Sequence, residues 1–224
     1  DNGIKIPHYC YHPSLSVVAN CRICLAEVWA PNPRNDNKLE PIPKLLPTCQ
    51  TPASDGNVVY TTSPKATANQ KAVMEMLLNH HPIDCPTCDQ AGECDLQDYA
   101  YEYGRGKRRC DTEKITQSKK DIGDNIMLYG DRCIMCTRCV RFADEISGTS
   151  ELFIDGRGAK EYIDVFPGIG INNELSGNVI DICPVGAMLD KDFMFQQRVW
   201  FLKTTPSIDP LTSSGDNIII EQND

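Results

Sequence analysis

The 224-residue sequence has no long hydrophobic run. Nowhere does it approach the roughly 18 consecutive apolar residues that a bilayer-crossing helix needs, so no membrane-spanning helix is expected. Its start, Asp1-Asn2-Gly3-Ile4-Lys5-Ile6, lacks the basic-then-apolar pattern of an export leader. Glycine and proline, 15 of each, follow no period, which excludes collagen-like and linker readings. Basic residues are outnumbered, 22 against 31 acidic, and the resulting net charge of −9 repels a nucleic-acid backbone. Only Arg105-Gly106-Lys107-Arg108-Arg109 breaks that trend, and a solvated loop is the plain reading of it. Motifs for nucleotide or acyl chemistry are also missing. Gly156-Arg157-Gly158 and Gly168-Ile169-Gly170 are isolated pieces without a GxGxxG completion, and nothing resembles a catalytic triad or nucleophile elbow. No NAD site and no catalytic residue are expected in the chain itself.

Cysteine is what the sequence does have: twelve, at positions 10, 21, 24, 49, 85, 88, 94, 110, 133, 136, 139 and 183. A chain this long, 41% hydrophobic, does not need a disulfide scaffold, and its cysteine fraction lies below the roughly 8–10% of such scaffolds. Several cysteines are separated by two residues, a spacing that turns thiolates toward one centre. They fall into three groups: Cys10, Cys21, Cys24 and Cys49; then Cys85, Cys88 and Cys94 with a histidine; then Cys133, Cys136 and Cys139 with the distant Cys183. Each offers four ligands, leaving Cys110 as a free thiol expected to be buried and inert.

Four-cysteine and three-cysteine–histidine sets also hold structural zinc, so a zinc-stabilised scaffold is the alternative of another class. Cys133-x2-Cys136-x2-Cys139 argues against it. Three thiolates in so short a run, with a fourth supplied by Cys183-Pro184, match the pattern by which bacterial ferredoxins hold [4Fe–4S] clusters. The first group has the Cys-x2-Cys pair and distant fourth cysteine of plant-type [2Fe–2S] ferredoxins, although it opens with Cys-x10-Cys. A strand over Leu25–Trp29, a proline-broken loop from Pro31 to Pro47, and a turn at Asp55-Gly56-Asn57 into Val58–Thr61 suit a small sheet beside it.

For the second group, Ser63-Pro64 predicts the start of a helix whose apolar positions are Ala66, Val73, Met76, Leu77 and His80. Pro82 stops it, which delivers a histidine to the turn bearing Cys85 and Cys88. His80 and His81 compete for that role, with His80 assignable to the helix face. Cys94 opens a second helix with Leu96, Tyr99, Ala100 and Tyr103 on one face.

Five stretches taken together resemble one family. They are Ile6-Pro7-His8-Tyr9-Cys10-Tyr11-His12-Pro13, the run from Asn20 to Val28, the run from His81 to Asp98, Cys133 to Phe142, and Leu175 to Ala187. Each is similar to a motif of the large, 75 kDa-type iron–sulfur subunit of proton-pumping NADH:quinone oxidoreductase, respiratory complex I. The resemblance implies a [2Fe–2S] cluster on Cys10, Cys21, Cys24 and Cys49. It implies a [4Fe–4S] cluster on His81, Cys85, Cys88 and Cys94, selecting His81 over His80, and another on Cys133, Cys136, Cys139 and Cys183. Electrons would enter from the FMN- and NADH-binding flavoprotein subunit and leave through further iron–sulfur subunits toward quinone. The complex would be peripheral, on the cytoplasmic face of a bacterial inner membrane or the mitochondrial matrix face.

The implied fold is α+β: a β-grasp, [2Fe–2S] ferredoxin-type domain over 1–62 lacking its usual start, then small α/β segments. These are a histidine-ligated [4Fe–4S] segment over 63–103, an all-cysteine one over 104–203, and a stub of a molybdopterin-oxidoreductase-like domain over 204–224. Asp209, Thr212 and Asp216 stand where some relatives carry cysteines, so no fourth cluster and no molybdopterin are expected. The competing reading is the diaphorase iron–sulfur subunit of an NAD-reducing hydrogenase or formate dehydrogenase. Those proteins usually add a second Cys-x2-Cys-x2-Cys run, which is missing here.

Overall fold

The computed structural model describes residues 3–223. Strand β1 (Leu25–Asn32) is the centre of a four-stranded antiparallel sheet. It pairs with β2 (Lys38–Pro41), β3 (Leu46–Pro47) and β4 (Val58–Tyr60), in registers that set Trp29 opposite Pro41, Leu25 opposite Pro47 and Val28 opposite Val59. Alternation explains the strand: Ala26 and Val28 point inward and are buried, with half-exposed neighbours between them. The segment from Pro31 to Pro47, expected as a loop, contains β2 and β3. Its prolines fall where they cost little, because Pro41 and Pro47 end short edge strands. The turn at Asp55-Gly56-Asn57 is as expected, with Gly56 at φ +80° leading into β4.

Helix α1 (Pro64–His80) begins as the sequence predicts. Ser63 accepts the Ala66 amide at 3.2 Å and Pro64 occupies the first turn. Its buried face is Ala66, Gln70, Val73 and Met74, whereas Met76 is 61% exposed. The apolar stripe therefore runs through Met74 rather than Met76, because the face turned to β1 and the first cysteines sits one step round the helix. His80 is exposed at the end of α1 and His81 caps it in extended conformation. Helix α2 (Asp95–Tyr103) opens directly after Cys94 and buries Leu96, with Tyr99, Ala100 and Tyr103 packed beside it.

A three-stranded sheet follows, β5 (Lys119–Asp121), β6 (Ile126–Tyr129) and a later strand from the chain, β9 (Met188–Asp190), in the order β5-β6-β9. Between β6 and β9 lie α3 (Arg138–Glu145), the hairpin β7 (Leu152–Asp155) and β8 (Tyr162–Val165), and the short α4 (Asn178–Asp181). A last hairpin, β10 (Lys203–Ile208) and β11 (Asn217–Gln222), is exposed along most of its length. Asp209, Thr212 and Asp216 lie in its connecting loop, where Thr212 donates to Asp209 at 3.2 Å and the Asp209 amide to the Asp216 carbonyl at 2.9 Å.

Two apolar clusters form the core. One gathers Ile122, Ile126, Leu128, Phe142, Leu152, Ile163 and Met188 around Cys139. The other joins Tyr9, Ile23, Val73, Met74, Leu96 and Val185, and Cys10, Cys94 and Cys136 are among its buried members. Cysteines from all three sequence groups therefore meet in one buried body.

Candidate functional site: three thiol-rich ligand sets

The first set closes as two pairs. Cys10 Sγ lies 3.4 Å from Cys21 Sγ, and Cys24 Sγ lies 3.6 Å from Cys49 Sγ. Cys21 and Cys24 sit on a tight turn in which Arg22 adopts φ +61°, a left-handed conformation that a side-chain-bearing residue holds only at a cost. Within the first pair, sharing one proton pulls the Cys21 thiol down to about 5 and pushes Cys10 upward. Burial pushes Cys49 up to about 12.

The second set is built on the end of α1. Cys85 and Cys88 flank a single 3-10 turn, and Cys94 stands at the start of α2. Burial raises the Cys88 thiol, and takes Cys94 to about 11, where Cys88 and Cys85 are close enough to add to the rise. His81 is driven down to about 4, first by burial, with Arg132 and Lys114 assisting and Asp84 opposing. Its imidazole is therefore neutral at pH 7, and its Nδ1 is buried without a hydrogen-bond partner.

The third set is enclosed by the apolar core. Burial raises Cys133 and Cys136 to about 12 and moves Cys139 and Cys183 upward as well. Met135 and Thr137 both take positive φ, +53° and +64°, between the three cysteines of the run. That strain turns the Met135 amide onto Cys133 Sγ at 3.4 Å. The backbone around Val185, Ala187 and Met188 does the same for Cys183, lowering its thiol against the effect of burial. Amides aimed at sulfur favour thiolate, and buried thiols that strongly resist ionisation alone favour a bound cation that would discharge them.

The three sets touch. Helix α3, which begins beside Cys139, extends Arg138 to the Tyr11 carbonyl at 2.9 Å and the Ile182 carbonyl at 3.3 Å. Arg141 reaches the carbonyls of Cys10 at 2.5 Å and Cys136 at 3.3 Å. Between the second and third sets, the Asp95 amide donates to the Pro184 carbonyl at 3.2 Å. A methyl group at Gly186 would fall 2.3 Å from Cys88 Sγ, so only glycine lets the turn after Cys183 pass the second set. From the far side, Arg198 donates to the Cys88 carbonyl at 2.6 Å and also to the Pro86 carbonyl. Among the described residues, no three His, Cys, Asp or Glu side chains converge on a single metal ion.

These arginines and Gly186 are the residues that the sequence did not disclose. Arginine defaults to the surface in a sequence reading, and a glycine needed for close approach looks like any other until its neighbour is known. Cys110 also differs from expectation. It is half-buried rather than buried, Thr112 Oγ1 lies 3.5 Å from its sulfur, and hydrogen bonding with the Thr112 hydroxyl and backbone lowers its thiol. The basic stretch around it folds back on α1, where Arg109 makes a two-pronged contact with Glu75 and Arg105 approaches the same carboxylate at 3.3 Å.

Two family models match within the chain: an iron–sulfur binding region of NADH-ubiquinone oxidoreductase-G over residues 70–109, and the ferredoxin-like domain of NADH-quinone oxidoreductase subunit 3 over residues 123–189. The chain is 45% identical, over 98% of its length, to the mitochondrial NADH-ubiquinone oxidoreductase 78 kDa subunit of Neurospora crassa, and spans 28% of that protein. It is 43% identical over 98% of its length to the NADH-ubiquinone oxidoreductase 75 kDa subunit of Reclinomonas americana, spanning 30% of it. Among solved structures, a chain of an NAD+-reducing [NiFe]-hydrogenase in the H2-reduced state superposes with a TM-score of 0.72 at 29% identity, covering 87% of this chain and 79% of that one. The chain thus spans about three-tenths of the oxidoreductase subunits it matches. With its α+β, ferredoxin-like iron–sulfur segments, it belongs to the family of large, 75–78 kDa iron–sulfur subunits of NADH:quinone oxidoreductase.

Proposed function

We propose that the chain is an electron relay of a proton-pumping NADH:quinone oxidoreductase, taking electrons from the NADH/FMN subunit and passing them on toward quinone. The observation that carries the reading is the meeting of cysteines from all three sequence groups in one buried body. In this reading Cys10, Cys21, Cys24 and Cys49 hold a [2Fe–2S] cluster, and the two close sulfur pairs suit two irons with two thiolates each. His81, Cys85, Cys88 and Cys94 hold one [4Fe–4S] cluster, and Cys133, Cys136, Cys139 and Cys183 another. Iron–sulfur clusters supply one-electron transfer when bound.

The donor set fits such groups. Buried thiols met by backbone amides need a cationic centre, and the orphaned Nδ1 of His81 is an acceptor already stripped of water. Being neutral, His81 brings one negative charge fewer than cysteine, which favours a reduced centre there. A structural zinc site would instead want four donors around one point, about 2.3 Å from each sulfur, and among the described residues no three His, Cys, Asp or Glu side chains converge in that way.

The domain division at about residues 62, 103 and 203 and a position on the cytoplasmic or matrix face of the membrane belong to the same proposal. So do its partners, the flavoprotein subunit and the iron–sulfur subunits leading to quinone. A second reading, the diaphorase subunit of an NAD-linked hydrogenase, is favoured by the structural match, which covers most of that chain as well as of this one. The missing second Cys-x2-Cys-x2-Cys run speaks against it.

Iron and acid-labile sulfide analysis of anaerobically prepared chain, with EPR of the dithionite-reduced state, tests the relay. About ten irons and ten sulfides, with one [2Fe–2S] and two [4Fe–4S] signals, are expected. Zinc without iron refutes it. Co-purification with hydrogenase subunits in place of quinone-reductase subunits would select the second reading.

A further inference from the structure

Helix α3 carries Arg138 and Arg141 nearly one turn apart, and both are buried. Arg141 has an unusual set of partners. Its Nη1 donates to the Ser16 carbonyl at 2.5 Å, its Nη2 to the Cys10 carbonyl at 2.5 Å and the Cys136 carbonyl at 3.3 Å, and its Nε to Thr137 Oγ1 at 3.3 Å. Among the described residues it forms no ion pair. An acidic group that feels its charge, Glu145, is exposed at the end of α3, where its carboxylate accepts the Ser16 amide at 2.8 Å. A buried guanidinium hydrogen-bonded to neutral oxygens leaves its positive charge to act on whatever lies around it.

What lies around it is one ligand from each of two sets. Cys10 belongs to the first and Cys136 to the third, and a single Nη2 nitrogen joins their carbonyls. Arg138 makes a parallel link, from Tyr11 to Ile182, beside Cys10 and Cys183 respectively.

We propose that Arg141 is a positioning residue shared by the first and third cluster sites, holding the loops of Cys10 and Cys136 at a fixed separation and lending both sites one positive charge. The inference rests on the ligand assignment given under Proposed function. Its signature is a coupled change: reduction adds an electron at either site, the same buried cation favours both reduced forms, and loss of that cation lowers both potentials together.

EPR-monitored redox titration of the full 224-residue chain, prepared anaerobically with its iron, tests this with Arg141→Gln and Arg141→Lys. Gln removes the charge, whereas Lys keeps it without the planar fork. At a fixed ambient potential, Arg141→Gln is expected to lower the reduced-to-oxidised ratio of both the [2Fe–2S] centre and the all-cysteine [4Fe–4S] centre. The change should be on the order of tenfold, equivalent to about 59 mV for a one-electron couple. The histidine-ligated centre should move much less, and Arg141→Lys should recover most of the shift. Movement of only one centre, or of neither, overturns the shared role. Failure of both variants to take up iron reduces Arg141 to a folding residue and overturns it equally. A wild-type chain without these signals instead refutes the ligand assignment itself, an outcome visible before any variant is made.

Discussion

Arg132 donates Nε and Nη2 to the same oxygen of Asp84, Oδ2, at 3.1 and 2.7 Å. Arg132 precedes Cys133 and is 2% exposed; Asp84 precedes Cys85. The pair therefore locks the third ligand set to the second, and Arg132 completes the lock by donating to the Gly186 carbonyl at 3.3 Å and stacking on Tyr129 at 4.2 Å. Asp84→Ala would leave a buried guanidinium without its counter-charge. The partial exposure of Asp84 puts the expected loss at about 3 kcal/mol, the lower end of the range for broken buried pairs. Urea denaturation of the holo chain measures it. The double variant Asp84→Ala/Arg132→Met should lose less than Asp84→Ala alone, and an equal or larger loss would show that the pair is not what matters.

Gly186→Ala isolates the contact between sets. The added methyl would collide with Cys88 Sγ, and Gln90 Cβ at 3.1 Å blocks the alternative path. Displacement of Cys88 should cost the second cluster and spare the other two. Iron content is then expected to fall by about four from about ten, with the [2Fe–2S] EPR signal retained. Full iron content in this variant would mean that Cys88 has room the structure denies it.

Protonation of His81 sets a pH dependence. Its native value of about 4 lies below the ordinary imidazole value of 6.5, so the folded chain binds fewer protons than the unfolded chain between those limits. Stability is therefore full above pH 6.5 and falls as the pH drops toward 4, at up to about 1.4 kcal/mol per pH unit from this group. His81→Gln should remove that slope while also withdrawing a ligand from the proposed second cluster. Denaturation midpoints at pH 7 and pH 5 for the two proteins provide the comparison, and parallel losses would assign the acid sensitivity elsewhere.

Metal removal should unfold the chain. Cys10, Cys94, Cys136 and Cys139 are members of the two core clusters, so the proposed centres on these thiols would be part of the core. Treatment with an iron chelator and reductant is expected to abolish the cooperative thermal transition seen by circular dichroism. A transition that survives complete iron loss would mean that the apolar contacts alone suffice.

Local features of the fold were legible where their signals are local. The Ser63 cap, the proline in the first turn, the Asp55-Gly56-Asn57 turn and the amphipathic face of α2 all depend on neighbours in sequence, and all appear where the spacing puts them. Strands β2 and β3 did not announce themselves. A short edge strand with a terminal proline has little β propensity of its own and exists because β1 offers it a partner. The buried face of α1 was shifted to Met74 for a similar reason, since the surface it meets is assembled from distant segments.

By itself, the sequence determined the candidate ligands: thiol type, spacing and the tight turns between them are properties of a few consecutive residues, and so is the delivery of a histidine to the end of α1. Only the tertiary structure decided that the three sets share one buried body, that Arg141 touches two of them, that Arg132 locks two others, and that Gly186 must lack a side chain. These depend on contacts between residues up to 131 positions apart. Burial gives such contacts their energy and direction, by stripping water from charge and forcing every carbonyl and amide to find a partner, and no local pattern records which partner that is.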